Sequence, residues 1–171
     1  MSDTIAFIGG GNMARSLVGG LVSQGRDPAT IHVAEPVQSL RETLVADFGV
    51  IVFEDGADAV AGASIWVFAT KPQVLRAVCE ALAAKAQATQ PLVVSIAAGI
   101  TAAQLERWLG GGMAVVRTMP NTPALLGAGV TGLFASERVD TQGRDFAEAL
   151  LAAAGKTVWI IGGAQIYAEA L

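Results

Sequence analysis

Short apolar runs and longer amphipathic stretches alternate along this chain. Ile5 to Ile8 are four apolar residues without polar interruption, the pattern of a strand covered on both faces. Met13, Leu17, Val18 and Leu21 then recur at helical spacing, which predicts a helix from about Met13 to Gln24 with Gly25 as its stop. The same pair of patterns returns several times. Strands are expected at Ile31–Ala34, Val50–Phe53, Ile65–Ala69, 91–95, Met113–Arg117, Gly129–Phe134 and Lys156–Ile161. Between them, helices are expected at Ser39–Phe48 with Gly49 after it, at Asp55–Ala61, at Gln73–Lys85, from Thr101 as N-cap through Leu109, and from Asp140 or Thr141 to about Ala154. Strand then helix, repeated, predicts an α/β fold: a doubly wound, mostly parallel sheet with helices on both faces.

The first strand ends in Gly9-Gly10-Gly11-Asn12-Met13-Ala14 and the first helix follows at once. Gly9-x-Gly11-x-x-Ala14 is the dinucleotide fingerprint in its Ala-ended form, in the strand–turn–helix setting it requires, so the sheet is expected to be of Rossmann type. Gly9 permits the tight turn. Gly11, lacking Cβ, lets a pyrophosphate approach the backbone, and Ala14 lets the helix pack on the strand. The helix N-terminus offers unpaired N–H groups and a partial positive charge to phosphates. At the tip of the second strand, Glu35 is placed to accept a hydrogen bond from the adenine ribose 2′-OH, which leans the cofactor toward NAD(H) over NADP(H); its alternative reading is a polar residue opening a turn at Pro36. His32, the one histidine, lies inside that strand and reads as structural.

Ligands in open α/β sheets bind at the carboxyl ends of strands. There this chain carries Ala69-Thr70-Lys71-Pro72, then Ile96-Ala97-Ala98, whose small side chains admit a flat ring or a sugar. Lys71 is a cofactor contact or a solvated strand-end charge. Arg117 is equally balanced between the site and a surface ion pair. Pro120 and Pro123 bracket Asn121 in a stretch that reads as a stiff loop, neither helix nor inner strand.

The chain has 171 residues, 53% hydrophobic and 15% charged, with a net charge of −4, so no nucleic-acid partner is expected. No apolar run is long enough for a membrane span and no basic n-region opens the chain, so a cytoplasmic, soluble protein is expected. Cys79 is the one cysteine and falls on the apolar side of its helix. One His and one Cys at unrelated positions build no metal site.

Four segments in order, Ile8 to Ala14, Ala69 to Gln73, Ser95 to Gly99 and Val116 to Pro123, resemble pyrroline-5-carboxylate reductase, and the likeness extends over residues 4 to 160. The resemblance implies an oxidoreductase that reduces 1-pyrroline-5-carboxylate to L-proline with NAD(P)H, in proline biosynthesis, with residues 1–160 as its dinucleotide-binding domain. By the same resemblance Ile8, Gly9, Gly10, Gly11, Asn12 and Met13 hold the pyrophosphate, and Glu35 and Pro36 flank the ribose. Ala69, Thr70, Lys71 and Pro72, with Ile96, Ala97 and Ala98, line the rest of the cofactor. Pro120 and Asn121 border the substrate side of the nicotinamide. Gly56 stands where many family members carry an asparagine that contacts the cofactor, which puts that contact in doubt here.

The family continues into an all-helical domain that forms an intertwined dimer and binds the substrate carboxylate. Here residues 161–171 read as a short turn and helix that resembles the Gly-Gly turn of dihydrofolate reductases or a degenerate start of that domain. No general acid stands out, so the catalytic residues are open. Two functions are carried: the cofactor half of a reductase that turns over slowly alone, or a dinucleotide-binding module without activity of its own. A hydroxyacid dehydrogenase of the same fold is opposed by the Met119-Pro-Asn-Thr-Pro123 run. An apolar face near Phe134 and Trp159 is expected to bring self-association, or to be covered by an adapted tail.

Overall fold

The computed structural model describes residues 3–121, 123 and 127–160. The expected turn and helix over 161–171 lie outside the described residues. Eight strands form one sheet: β1 (Ile5–Ile8), β2 (Ile31–Ala34), β3 (Ile51–Phe53), β4 (Ile65–Phe68), β5 (Leu92–Ser95), β6 (Ala114–Pro120), β7 (Gly129–Ala135) and β8 (Gly155–Trp159). Their order is β3-β2-β1-β4-β5-β6-β7-β8, and every neighbouring pair is parallel except β6 with β7. The order reverses between β1 and β4, so their carboxyl ends diverge around a crevice.

The strands are apolar throughout because both faces are covered. Ile5 and Phe7 face one core, with Leu17 and Val18 of α1 (Asn12–Ser23), Leu44 of α2 (Gln38–Phe48), and Leu150 and Leu151 of α6 (Thr141–Ala152). Ala6 and Ile8 face the other, with Val60 just after α3 (Gly56–Ala59), Leu75, Cys79 and Leu82 of α4 (Pro72–Thr89), and Leu105 of α5 (Ala102–Trp108). This is the Rossmann-type arrangement that the alternating pattern predicts.

The caps follow local chemistry. Thr101 and Gln104 form a reciprocal capping box, and the carboxylates of Asp27 and Asp140 accept from Ala29 N and Gly143 N. Gly49 closes α2 in the left-handed conformation, at φ 70°. His32 is structural: Nδ1 lies 2.8 Å from the Ala59 carbonyl oxygen, and its ring packs on Phe53. Cys79 is fully buried.

The structure corrects two expectations. The stiff Pro120 segment is strand: β6 runs through Pro120 and pairs antiparallel with β7, Met119 opposite Gly132 and Pro120 opposite Thr131. β5 stops opposite Arg117, so the last three residues of β6 have a neighbour on one side only, where a proline costs no inner ladder bond. α4 continues four residues past Lys85 to Thr89, because Ala86 keeps its buried face going. Trp159 lies on the outer strand β8, where self-association is expected. It is half-buried, donates Nε1–H to Glu148 Oε2 at 3.3 Å, and carries the Arg144 guanidinium over its ring. Phe134 is half-buried too, and the exposed side chains of that edge are Val130 and Val158.

Candidate functional site

The carboxyl end of β1 is the centre of the site. Gly9 N donates to Ala34 O at 2.9 Å and Ala69 N donates to Ile8 O at 2.8 Å, so the glycine turn hangs between the ends of β2 and β4. Gly9 has φ +107°, and a Cβ built there would lie 2.7 Å from Ala69 O. No other residue type fits without moving the end of β4. Gly11 is different. It is the N-cap of α1, and a Cβ on it would meet nothing within 4 Å. The space above Gly11 is open, and no side chain caps α1. Asn12 and Met13 are the first residues of that helix.

Glu35 is 7% exposed. Its Oε2 accepts from Gly10 N at 3.0 Å and its Oε1 from Val37 N at 2.9 Å. The carboxylate thus ties the glycine turn to the turn after β2. Arg41 holds the same turn from outside, its Nη1 donating to Glu35 O at 2.7 Å and Pro36 O at 2.9 Å. That arginine lines a separate shallow groove between α2 and β3.

A cleft of about 470 Å³ opens at these strand ends, between α3 and α4. Ile8, Gly9, Pro36 and Thr70, each a candidate cofactor contact by sequence, are among its lining residues. The Thr70 hydroxyl is buried and has no hydrogen-bond partner. Lys71, the N-cap of α4, is exposed, and Pro72 fills the first helical position. Ala69, Ile96–Ala98 and Pro120–Asn121 continue the same sheet edge over β4, β5 and β6. Ala97 N donates to Ser95 Oγ, and Asn121 Oδ1 accepts from Val130 N at 3.0 Å, which fixes the end of β6 against β7. Arg117 is 2% exposed, inside the sheet between Ser95 and Phe134, not on the surface.

Two sets of cleft residues escape the sequence-based reading. Val74, Val78, Ala81 and Leu82 of α4 form its apolar wall. Their spacing on one helical face was the available signal, since Val74 is 49% exposed although apolar. Glu54, Asp55 and Asp58 form the polar rim, and no Lys, Arg or His is among the lining residues. Among the described residues there is no group of three or more metal-ligating side chains, and no helix is long and apolar enough to cross a membrane.

The site fits a dinucleotide on features of its own. The open space at Gly11, the uncapped α1, the unpartnered Thr70 hydroxyl and the size of the cleft match a pyrophosphate with an adenosine beside it.

Comparisons with known proteins agree. The family described as "NADP oxidoreductase coenzyme F420-dependent" matches residues 4–99. A pyrroline-5-carboxylate reductase from Pseudomonas aeruginosa is 48% identical over 162 residues, covering 95% of this chain and 59% of that protein. One from Pasteurella multocida is 40% identical, covering 97% of this chain and 61% of that protein. The structure of a pyrroline-5-carboxylate reductase from Coxiella burnetii superposes with a TM-score of 0.93 at 39% identity, over 97% of this chain and 62% of that one. A Plasmodium falciparum pyrroline carboxylate reductase solved with NADP bound shares the fold, with a TM-score of 0.80 at 20% identity, over 94% of this chain and 58% of that one. The chain therefore spans about three fifths of the length of these relatives, and over that span it belongs to the pyrroline-5-carboxylate reductase family.

Proposed function

We propose that this chain binds a pyridine dinucleotide at the β1–α1 turn and forms the cofactor-binding part of an enzyme that reduces 1-pyrroline-5-carboxylate to L-proline. One observation carries the reading: the glycine turn, Thr70–Pro72, Ile96–Ala98 and Pro120–Asn121 fall at the carboxyl ends of four adjacent strands, β1, β4, β5 and β6. A dinucleotide is an extended molecule, and that row of strand ends offers it an extended seat.

When bound, the cofactor supplies a hydride from nicotinamide C4 to the imine carbon. The chain's own residues bind and orient. Backbone N–H groups at the start of α1 take the pyrophosphate above Gly11. Thr70 gives its hydroxyl to the same ligand. Ile8, Val74, Val78 and Leu82 hold the adenine flat and dry. Pro36 closes the ribose side, beside the Glu35 carboxylate, whose negative charge favours NAD(H). Ile96, Ala97 and Ala98 leave room for the nicotinamide half, and the fixed end of β6 sets Pro120 and Asn121 on its substrate side.

Two measurements test the reading. NADH binding is followed by calorimetry, and 1-pyrroline-5-carboxylate reduction by loss of NADH absorbance with proline quantified. Binding with slow turnover or none supports a cofactor-binding part. An absence of binding by a folded chain overturns the proposal.

A further inference from the structure

We propose that Glu54, Asp55 and Asp58 act as an electrostatic filter at the adenosine end of the cleft, excluding a 2′-phosphate and selecting NAD(H) over NADP(H). This inference rests on the dinucleotide-binding reading and assigns the selectivity to residues outside the fingerprint.

The cleft has three carboxylates in its lining and no cation. Among the described residues none of the three carboxylates forms a hydrogen bond or ion pair. Asp55 is the most telling of them. It occupies the N-cap of α3 with extended backbone, φ −107° and ψ 143°, yet its side chain makes no capping bond. Elsewhere in this chain Asp27 and Asp140 at the same kind of position both cap. The Asp55 carboxylate is left to the cleft.

The cations nearby are engaged or outside. Arg41 is turned onto the carbonyl oxygens of Glu35 and Pro36, and it lines the groove on the far side of β3. Lys71 is not in the lining of the cleft. Glu35 is held by two backbone N–H groups, so it positions the glycine turn as well as facing the ribose. A 2′-hydroxyl is neutral and meets this rim without cost. A 2′-phosphate adds close to two negative charges opposite three more at the cleft rim, a repulsion that salt screens.

The experiment is a pair of calorimetric titrations, NADH and NADPH, against the wild-type chain and the E54Q/D55N/D58N variant. Each is run from about 50 mM to about 500 mM salt, a range that shortens the screening length severalfold. The filter predicts at least about tenfold tighter NADH binding by the wild type at low salt. It also predicts that added salt narrows the ratio by relieving NADPH, and that the triple variant narrows it at low salt. All three substitutions lie on exposed side chains, and an unchanged unfolding midpoint shows that the variant is folded. Equal or tighter NADPH binding by the wild type overturns the filter. So does an NADPH affinity that falls with salt more steeply than that of NADH, the mark of a cationic phosphate site. A ratio that survives in the triple variant overturns it as well and moves selectivity to Glu35. Failure of both nucleotides to bind the folded wild type overturns the dinucleotide reading itself, a different result from binding without selectivity.

Discussion

Gly10 N donates to Glu35 Oε2 at 3.0 Å across a separation of 25 residues, inside a site where Glu35 is 7% exposed. With Val37 N on Oε1, one carboxylate clamps the glycine turn to the turn after β2. Glu35→Gln places an amide NH₂ against one of two backbone donors. It should cost about 1–3 kcal/mol of stability through an unsatisfied N–H. Chemical denaturation reads the stability, and dinucleotide affinity should fall with it as the two turns separate.

Gly9 and Gly11 should part company on mutation. Gly9→Ala puts a methyl against the Ala69 carbonyl at a φ of +107°, and should destabilise by about 1–3 kcal/mol. Gly11→Ala meets nothing in the protein and should leave the unfolding midpoint unchanged. It should nonetheless weaken NADH by about tenfold, since the methyl stands where the pyrophosphate comes down. Thermal unfolding and calorimetry on the two variants separate these outcomes.

The Thr70 hydroxyl has no partner in the protein although it is buried. Thr70→Val keeps the shape and removes that unmet polar group. The ligand-free chain should be as stable or slightly more stable, and dinucleotide binding weaker by about one hydrogen bond, roughly 0.5–1.5 kcal/mol. A variant that loses stability and keeps affinity would show the hydroxyl serving the fold.

Gly56 begins α3 at the edge of the cleft, where a Cβ would make ordinary contacts of 3.7 Å with Ile8 Cγ2 and Leu82 Cδ1. Gly56→Asn, which supplies the asparagine that the family resemblance implies there, should therefore fold normally. It should tighten NADH severalfold by adding a polar contact, and calorimetry on the variant measures it.

Burial, with the Glu80 charge second, pushes the Cys79 thiol up from 9.0 to about 12. The native thiol should ignore alkylating reagents at pH 8–9 and react only as denaturant opens the chain, followed by mass spectrometry. Because the folded state holds this proton more tightly than the unfolded one, Cys79 contributes stability fully below about pH 9. That contribution fades as pH rises toward 12.

The sheet and its helices were legible because each strand is covered on both faces, so unbroken runs such as Ile5–Ile8 and Ile65–Phe68 mark them directly. The glycine turn was legible because its spacing is fixed by backbone approach. Pro120 misled, since local rules forbid an inner strand and cannot know that β5 ends opposite Arg117. Glu35 was singled out by its position at the tip of β2, but its two backbone partners come from the turns on either side and leave no local trace. Asp55 was read only as the start of a short helix. That its carboxylate does not cap is a matter of side-chain direction, which pattern does not carry. Arg117 read as a surface or site cation because nothing local announces that β6 is an inner strand there, paired with β5 and β7 at that residue.

β1 has a hydrogen-bonded neighbour on each side along all four of its residues, and none of its side chains is more than 4% exposed. Its amides should exchange with solvent only when the whole domain opens. The glycine turn is the direct continuation of that strand. Fraying at the outer strand β8 can therefore come and go without reaching the glycine turn, whereas β3 leads directly into Glu54, Asp55 and α3, which line the cleft, and Phe53 O accepts from Glu35 N. In this architecture the glycine turn is as durable as the global fold, and the acidic rim after β3 is the part of the cleft that melting at that margin reaches first.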